Sequence, residues 1–189
     1  MASFALAFAA LKATEGGWSD DERDRGGETY AGISRRHYPR WSGWKRIDAA
    51  KRSKGFPANL AADRYLPRMI ARFYKRHYWD RFLGDDLPLD ELGAELLDAS
   101  VNVGLKRAVR FMQESLNLLN RNQQDYPDIV VDGLLGERTL EVMRRHLAVN
   151  RTPRYLLKVA NIVQGGFYLD IMRQNPRQER FARGWLDRA

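Results

Sequence analysis

Three side chains near the N-terminus have the types and spacing to break a glycosidic bond: Glu15, Asp24 nine residues on, and Thr29 five beyond that. Glu15 follows an apolar stretch that should be helical. It therefore falls at a helix C-terminus, where the macrodipole and apolar neighbours both favour the protonated acid. Gly16 and Gly17 then let a polymeric ligand approach the backbone, and Trp18 offers a flat face of the kind sugar rings stack on. A loop folding back over the helix end returns a carboxylate and a hydroxyl to Glu15, enough to hold a water opposite a general acid. Asp20 and Asp21 are substitutes for Asp24 in that role. The same residues also fit a surface glutamate before a Gly-Gly helix stop, followed by a solvated acidic loop, and spacing alone does not choose between the two.

The elements that must position these residues are mostly helices. Phe4, Leu6, Phe8 and Leu11 include helical spacing, with Ser3 available as a cap, so the apolar N-terminus is expected to be the first helix of the fold. No positive region precedes it as in a signal peptide, and it is too short to span a bilayer. Residues 16–34 hold five glycines and a cluster of charges, which predicts a loop with at most a small β-hairpin around Glu28 to Ile33. Residues 39–57 read as irregular around a short helix near 45–53. From about residue 60 helix follows helix. Leu66, Ile70, Phe73 and His77 mark one buried face, Leu92, Leu96, Ala99 and Val103 the next, then Val109, Met112, Leu116 and Leu119. Leu140, Met143 and Leu147 mark a shorter helix. Leu156, Val159, Val163, Phe167 and Ile171 mark a longer one starting near Pro153. The expected class is mainly α.

Composition narrows the function classes. The 189 residues carry a formal charge of +8 with 44% apolar residues, which describes a folded protein with a basic surface. Its basic pairs are scattered, with no long run, so no DNA-binding arm is apparent. There is no cysteine, hence neither a disulfide nor a thiolate metal site. His37, His77 and His146 lack ligand spacing, so neither a metal nor any other cofactor is expected. No phosphate-cradling loop or nucleophile elbow occurs.

The stretch from Glu15-Gly16-Gly17-Trp18 through Asp24-Arg25-Gly26-Gly27-Glu28-Thr29 to Gly32-Ile33-Ser34 closely resembles the signature of glycoside hydrolase family 108, lysozyme-like N-acetylmuramidases of phage endolysins and secretion activators. Arg25 stands where the family has proline, which should loosen the turn slightly. Tyr78-Trp79, then Leu97-Asp98 with Val101-Asn102 and Gly104, resemble further family landmarks, and Arg107-Ala108 opens the next helix. Phe111-Met112-Gln113 with Leu116, followed by Asp132-Gly133, Gly136 and Thr139-Leu140, resembles the family's peptidoglycan-binding-like C-terminal module, as does the ending Phe181, Gly184-Trp185-Leu186 and Arg188. Residues 41–56 look longer than the corresponding family loop.

The resemblance implies a lysozyme-like catalytic region over 1–103 and a helical wall-binding-like module over 104–189, packed as one unit. It implies an enzyme cutting the β-1,4 bond between N-acetylmuramic acid and N-acetylglucosamine. Glu15 is then the general acid, with Asp24 and Thr29 positioning the water. A lytic transglycosylase and a non-catalytic protein that binds the wall or assists secretion are the rival expectations. Bacterial peptidoglycan is the expected partner, with no nucleic acid, no stable membrane insertion and a monomeric state. With no signal peptide evident, a chain made in the host cytoplasm needs a holin or a secretion apparatus to reach the periplasm or wall. Trp18 and Tyr30 are expected to line a glycan groove, and Trp41 and Trp44 to pack in the core or loop. Asn102 should cap a helix end or bond a substrate acetamido group, while Trp79 and Trp185 belong to the core.

Overall fold

The computed structural model describes residues 1–14, 17–20 and 27–189. They are mainly helical, as the periodicity predicts, and form two compact units: Phe8–His77, and Met1–Ala7 together with Tyr78–Ala189. The first helix, α1 (Phe4–Thr14), gives its opening turn to the larger unit and the rest to the smaller. Its inward positions are Ala7 and Leu11, while Leu6, named from the sequence pattern, is exposed. No described helix is long and apolar enough to cross a membrane.

In the smaller unit a sheet of three two-residue strands follows α1: β1 (Trp18–Ser19), β2 (Thr29–Tyr30) and β3 (Ile33–Ser34), antiparallel in that order. The hairpin expected at 28–33 is its β2–β3 half, to which β1 adds a third strand. Ala31 and Gly32 both have positive φ, 47° and 75°, the requirement of a tight hairpin turn that matches strand twist. Among the described residues the unit continues with α2 (Gly43–Lys51), close to the predicted 45–53, a 3-10 turn (Ala58–Ala62) and α3 (Leu66–His77). Ile33, Ile47 and Leu66 are wholly buried between them, with Trp44, Phe73 and Tyr74. The Tyr74 hydroxyl donates to the Ala31 carbonyl at 2.9 Å, tying the hairpin turn to α3. A side chain at Gly43 would place its Cβ 2.3 Å from the Trp41 ring, so the indole packs directly on the helix backbone.

The larger unit contains α4 (Asp90–Val103), α5 (Leu105–Leu118), α6 (Glu137–Asn150), α7 (Arg154–Gln174) and the short α8 (Ala182–Leu186). Gly104, at φ 87°, separates α4 from α5 in a conformation that L side chains avoid. Trp79 is fully buried and donates to Asp85 at 2.7 Å. Gly84 and Gly93 lie against its ring so closely that a Cβ would come within 2.3 and 2.8 Å. Trp185, in contrast, is only half-buried, stacked on Tyr168 with ring centroids 5.2 Å apart. The buried stripe of α7 is Leu156, Ala160, Gln164 and Tyr168, one residue round from the apolar positions in the sequence. Two polar groups can be buried there because each is satisfied. Gln164 donates to the Arg188 carbonyl at 3.1 Å and the Tyr168 hydroxyl to Asn102 Oδ1 at 3.1 Å.

The motif residues Gln113, Asp132, Gly133 and Thr139 meet in one clamp. The Gln113 amide donates to Asp132 Oδ1 at 2.9 Å, the Leu134 carbonyl at 3.0 Å and Thr139 Oγ1 at 3.3 Å, and its carbonyl accepts from Gly133 N–H at 2.8 Å. Gly133, at φ 78°, passes so near α5 that a Cβ would lie 2.5 Å from the Lys106 carbonyl oxygen. Gln113 is 2% exposed, so its loss strands buried partners. Gln113→Leu should cost about 2–4 kcal/mol, read as a lower urea midpoint by far-ultraviolet circular dichroism. An unchanged midpoint would show that the clamp contributes nothing net.

Candidate active site

The sheet brings Trp18, Thr29 and Tyr30 together. Trp18 faces Tyr30 across β1–β2, and Ser19 faces Thr29, which in turn faces Ser34. Cross-strand partners share a face, so one side of the strip carries Trp18, Tyr30 and Ile33 and the other a row of hydroxyls, Ser19, Thr29 and Ser34. The Thr29 hydroxyl donates to the Gly27 carbonyl at 3.0 Å, which directs its proton to the backbone and leaves oxygen lone pairs to accept. Tyr30 is half-buried, and burial followed by the Asp63 charge raises its hydroxyl pKa, keeping it a neutral donor. Glu15 follows the last helical residue, Thr14, in sequence. Glu15, Asp21 and Asp24 lie outside the described residues.

A residue given no role by sequence reasoning, Glu28, holds this strip in place. Its carboxylate, 9% exposed, accepts from Trp18 Nε1 at 3.0 Å and pairs with Lys51 Nζ at 2.8 Å and Arg35 Nε at 3.1 Å. Arg35 also binds Asp48 at 2.6 Å, and its guanidinium lies 4.5 Å over the Trp44 ring, so one chain of contacts runs from β1 to α2. Trp18 is fixed on three sides: Glu28 takes its N–H, Phe56 packs edge-on at 4.7 Å, and the Lys51 ammonium sits 5.5 Å from the ring centre. The ring is therefore prepositioned. A glutamate beside a threonine in a Gly-rich turn carries no signal of burial, and Lys51 and Arg35 are seen as its partners only once α2 is folded against the sheet.

Asn102 sits in the larger unit. It does not cap α4, since Gly104 provides the positive φ there, and its side-chain oxygen accepts from Tyr168. One turn back, Asp98 pairs with Arg188 at 2.9 Å, which explains why the Asp98, Asn102 and Arg188 motif positions occur together. A further turn back, Glu95 is pushed up to about 7, first by burial and then by the Asp98 charge. Among the described residues, no group of three or more His, Asp or Glu converges to hold a metal.

Against this geometry, the chain matches the family described as Glycosyl hydrolase 108 over residues 8–104, and that described as Predicted Peptidoglycan domain over residues 107–189. A structure titled "Structure of Brucella abortus SagA" is similar in fold, with TM-score 0.50 and 23% identity over 97% of this chain and 94% of that one. No similar curated protein was found. Mainly helical, with a hydroxyl-and-aromatic strip next in sequence to the glutamate after α1, the chain has the makings of a lysozyme-like glycosidase. It belongs to glycosyl hydrolase family 108 and is a peptidoglycan hydrolase with a C-terminal peptidoglycan domain.

Two outcomes follow from the charges. Glu28→Ala leaves Lys51 and Arg35 facing a half-closed gap. As these are 33% and 32% exposed, the loss should be about 2 kcal/mol, below that of a fully buried pair. It should appear as lower thermal stability and a red shift in tryptophan emission as Trp18 is freed. Unaltered emission and stability would remove Glu28 from its central place. For Glu95, a folded pKa of about 7 against an ordinary 4.5 means that between those values the unfolded chain has lost a proton the native one retains. Stability contributed by the neutral form is present below pH 4.5 and is lost as pH rises to 7. Relative to Glu95→Gln, the wild type should lose on the order of 3 kcal/mol across that window, measurable by urea unfolding at a series of pH values.

Proposed function

We propose that the enzyme is an N-acetylmuramidase that hydrolyses the β-1,4 bond between N-acetylmuramic acid and N-acetylglucosamine. The observation that carries this is the family match over residues 8–104, a span that contains Glu15, Asp24 and Thr29. Glu15 protonates the leaving oxygen. Asp24, with the Thr29 hydroxyl accepting a hydrogen bond, orients the water on the opposite side. The Thr29 proton is directed to Gly27 O, which favours that accepting role. Trp18 and Tyr30, on the aromatic face of the strip, carry the sugar rings, and Asn102 is the candidate for a hydrogen bond to a substrate acetamido group. Residues 1–103 form the catalytic region and 104–189 the wall-binding module. The protein acts as a monomer without a cofactor, and a holin or a secretion apparatus delivers it to the wall.

Glu15→Gln should lower the release of reducing ends from purified peptidoglycan by roughly 10²–10⁴-fold, with the circular dichroism spectrum unchanged. Full activity in that variant would sink the assignment. Mass spectrometry of the wild-type fragments separates hydrolysis from transglycosylation, whose anhydro products are one water lighter.

A further inference from the structure

The unit Phe8–His77 contains a cleft of about 830 Å³ between the loop 37–42 and α3. It adjoins a second cleft, of about 560 Å³, that continues along the same helix toward α2. Ser42, Met69 and Arg72 line both. Neither has an Asp or Glu in its wall, and Arg40, Lys45, Arg68, Arg72 and Arg76 form no ion pair among the described residues. Arg46, which also lines the second cleft, is matched by Asp63 at 2.6 Å, and away from the clefts Arg35 and Lys51 are matched by Glu28. Arg68, Arg72 and Arg76 recur every fourth residue of α3, all exposed. Their backbone positions thus advance about 6 Å along the helix axis from one arginine to the next. Between and beneath them lies an apolar floor of Tyr38, Trp41, Met69 and Phe73.

A row of unpaired guanidinium groups repels itself and is relieved by an anion with charges at matching intervals, and the planar fork suits carboxylates. Alternate residues of an extended peptide lie about 7 Å apart, near the spacing of the arginines. The apolar floor makes use of methyl-bearing residues between the charges, which a phosphodiester chain lacks. Resting on the proposed muramidase function, the polymer that is cut carries acidic peptide stems on its muramic acids. We infer that the double cleft binds the carboxylates of these stems, with Arg68, Arg72 and Arg76 as the ladder and the aromatic floor under the intervening residues.

The test uses the full chain carrying Glu15→Gln, so that the probe survives, in co-sedimentation with purified sacculi before and after an amidase has removed the stems. Stem removal should weaken binding at least tenfold. The triple variant R68A/R72A/R76A should lose the same factor on intact sacculi and become insensitive to stem removal, as should Arg72→Glu in part. Equal binding to stripped and intact sacculi overturns the inference whatever the variants do. So does an unaffected triple variant, or displacement by a phosphate-bearing wall polymer or single-stranded DNA in preference to a soluble muramyl peptide. The muramidase assignment fails separately, if the wild-type chain releases no reducing ends.

Discussion

The carboxylate of Glu28 is the interaction on which the smaller unit turns. Strands of two residues cannot hold together by their own ladder bonds, since even a longer isolated hairpin is marginal in water. The sheet must be fastened from outside, and Glu28 fastens it by taking hydrogen bonds or charges from β1 through Trp18, from the end of β3 through Arg35, and from α2 through Lys51. The second fastening is Tyr74, which reaches from α3 to the Ala31 carbonyl in the turn. Between them these contacts set where the hydroxyl row and the aromatic row face. The orientation of this strip thus depends on buried contacts made from outside it.

The larger unit solves a different problem, that of passing a polypeptide close to a helix or a ring. Gly84 and Gly93 admit Trp79, and Gly133 admits the turn that Gln113 then locks. In each case a missing Cβ creates the approach and a hydrogen bond fixes it. The spaced motif of a glutamine, an Asp-Gly and a threonine is therefore one physical object, a turn clamped to α5.

Helical periodicity made most of the fold legible in the sequence, because amphipathic helices advertise their buried faces. The start of α7 follows from Pro153, and Leu66, Ile70 and Phe73 of α3 and Leu92, Leu96 and Ala99 of α4 are buried as their spacing predicts. The face of α7 did not follow, since the inward Gln164 and Tyr168 are polar and their partners, Arg188 and Asn102, are 24 and 66 residues away. The burial of Glu28 was hidden for the same reason. Glu15 and Asp24 stood out through residue type and spacing, as did Thr29, which alone of the three falls among the described residues. What spacing cannot supply is the tertiary contact that aims a side chain. Trp18 was legible as an aromatic near the site, but its fixed orientation comes from Phe56 and Lys51, more than thirty residues downstream.

The distribution of charge along α2 and α3 completes the argument about this unit. A net charge of +8 is tolerable when cations are neutralised locally, as Arg35, Lys51 and Arg46 are. Glu28, Asp48 and Asp63 each take a partner from the basic residues around them. Along α3 Arg68, Arg72 and Arg76 are left without such a partner among the described residues, at a spacing where exposed like charges disfavour the helix. A sequence selected for stability alone would interleave glutamates four residues away, as the Glu141–Arg145 pair does on α6. That α3 instead keeps three arginines with no ion pair among the described residues, over an aromatic floor, leaves a small mutual repulsion that a bound anion relieves, and an anionic wall polymer is the environment in which a peptidoglycan hydrolase works.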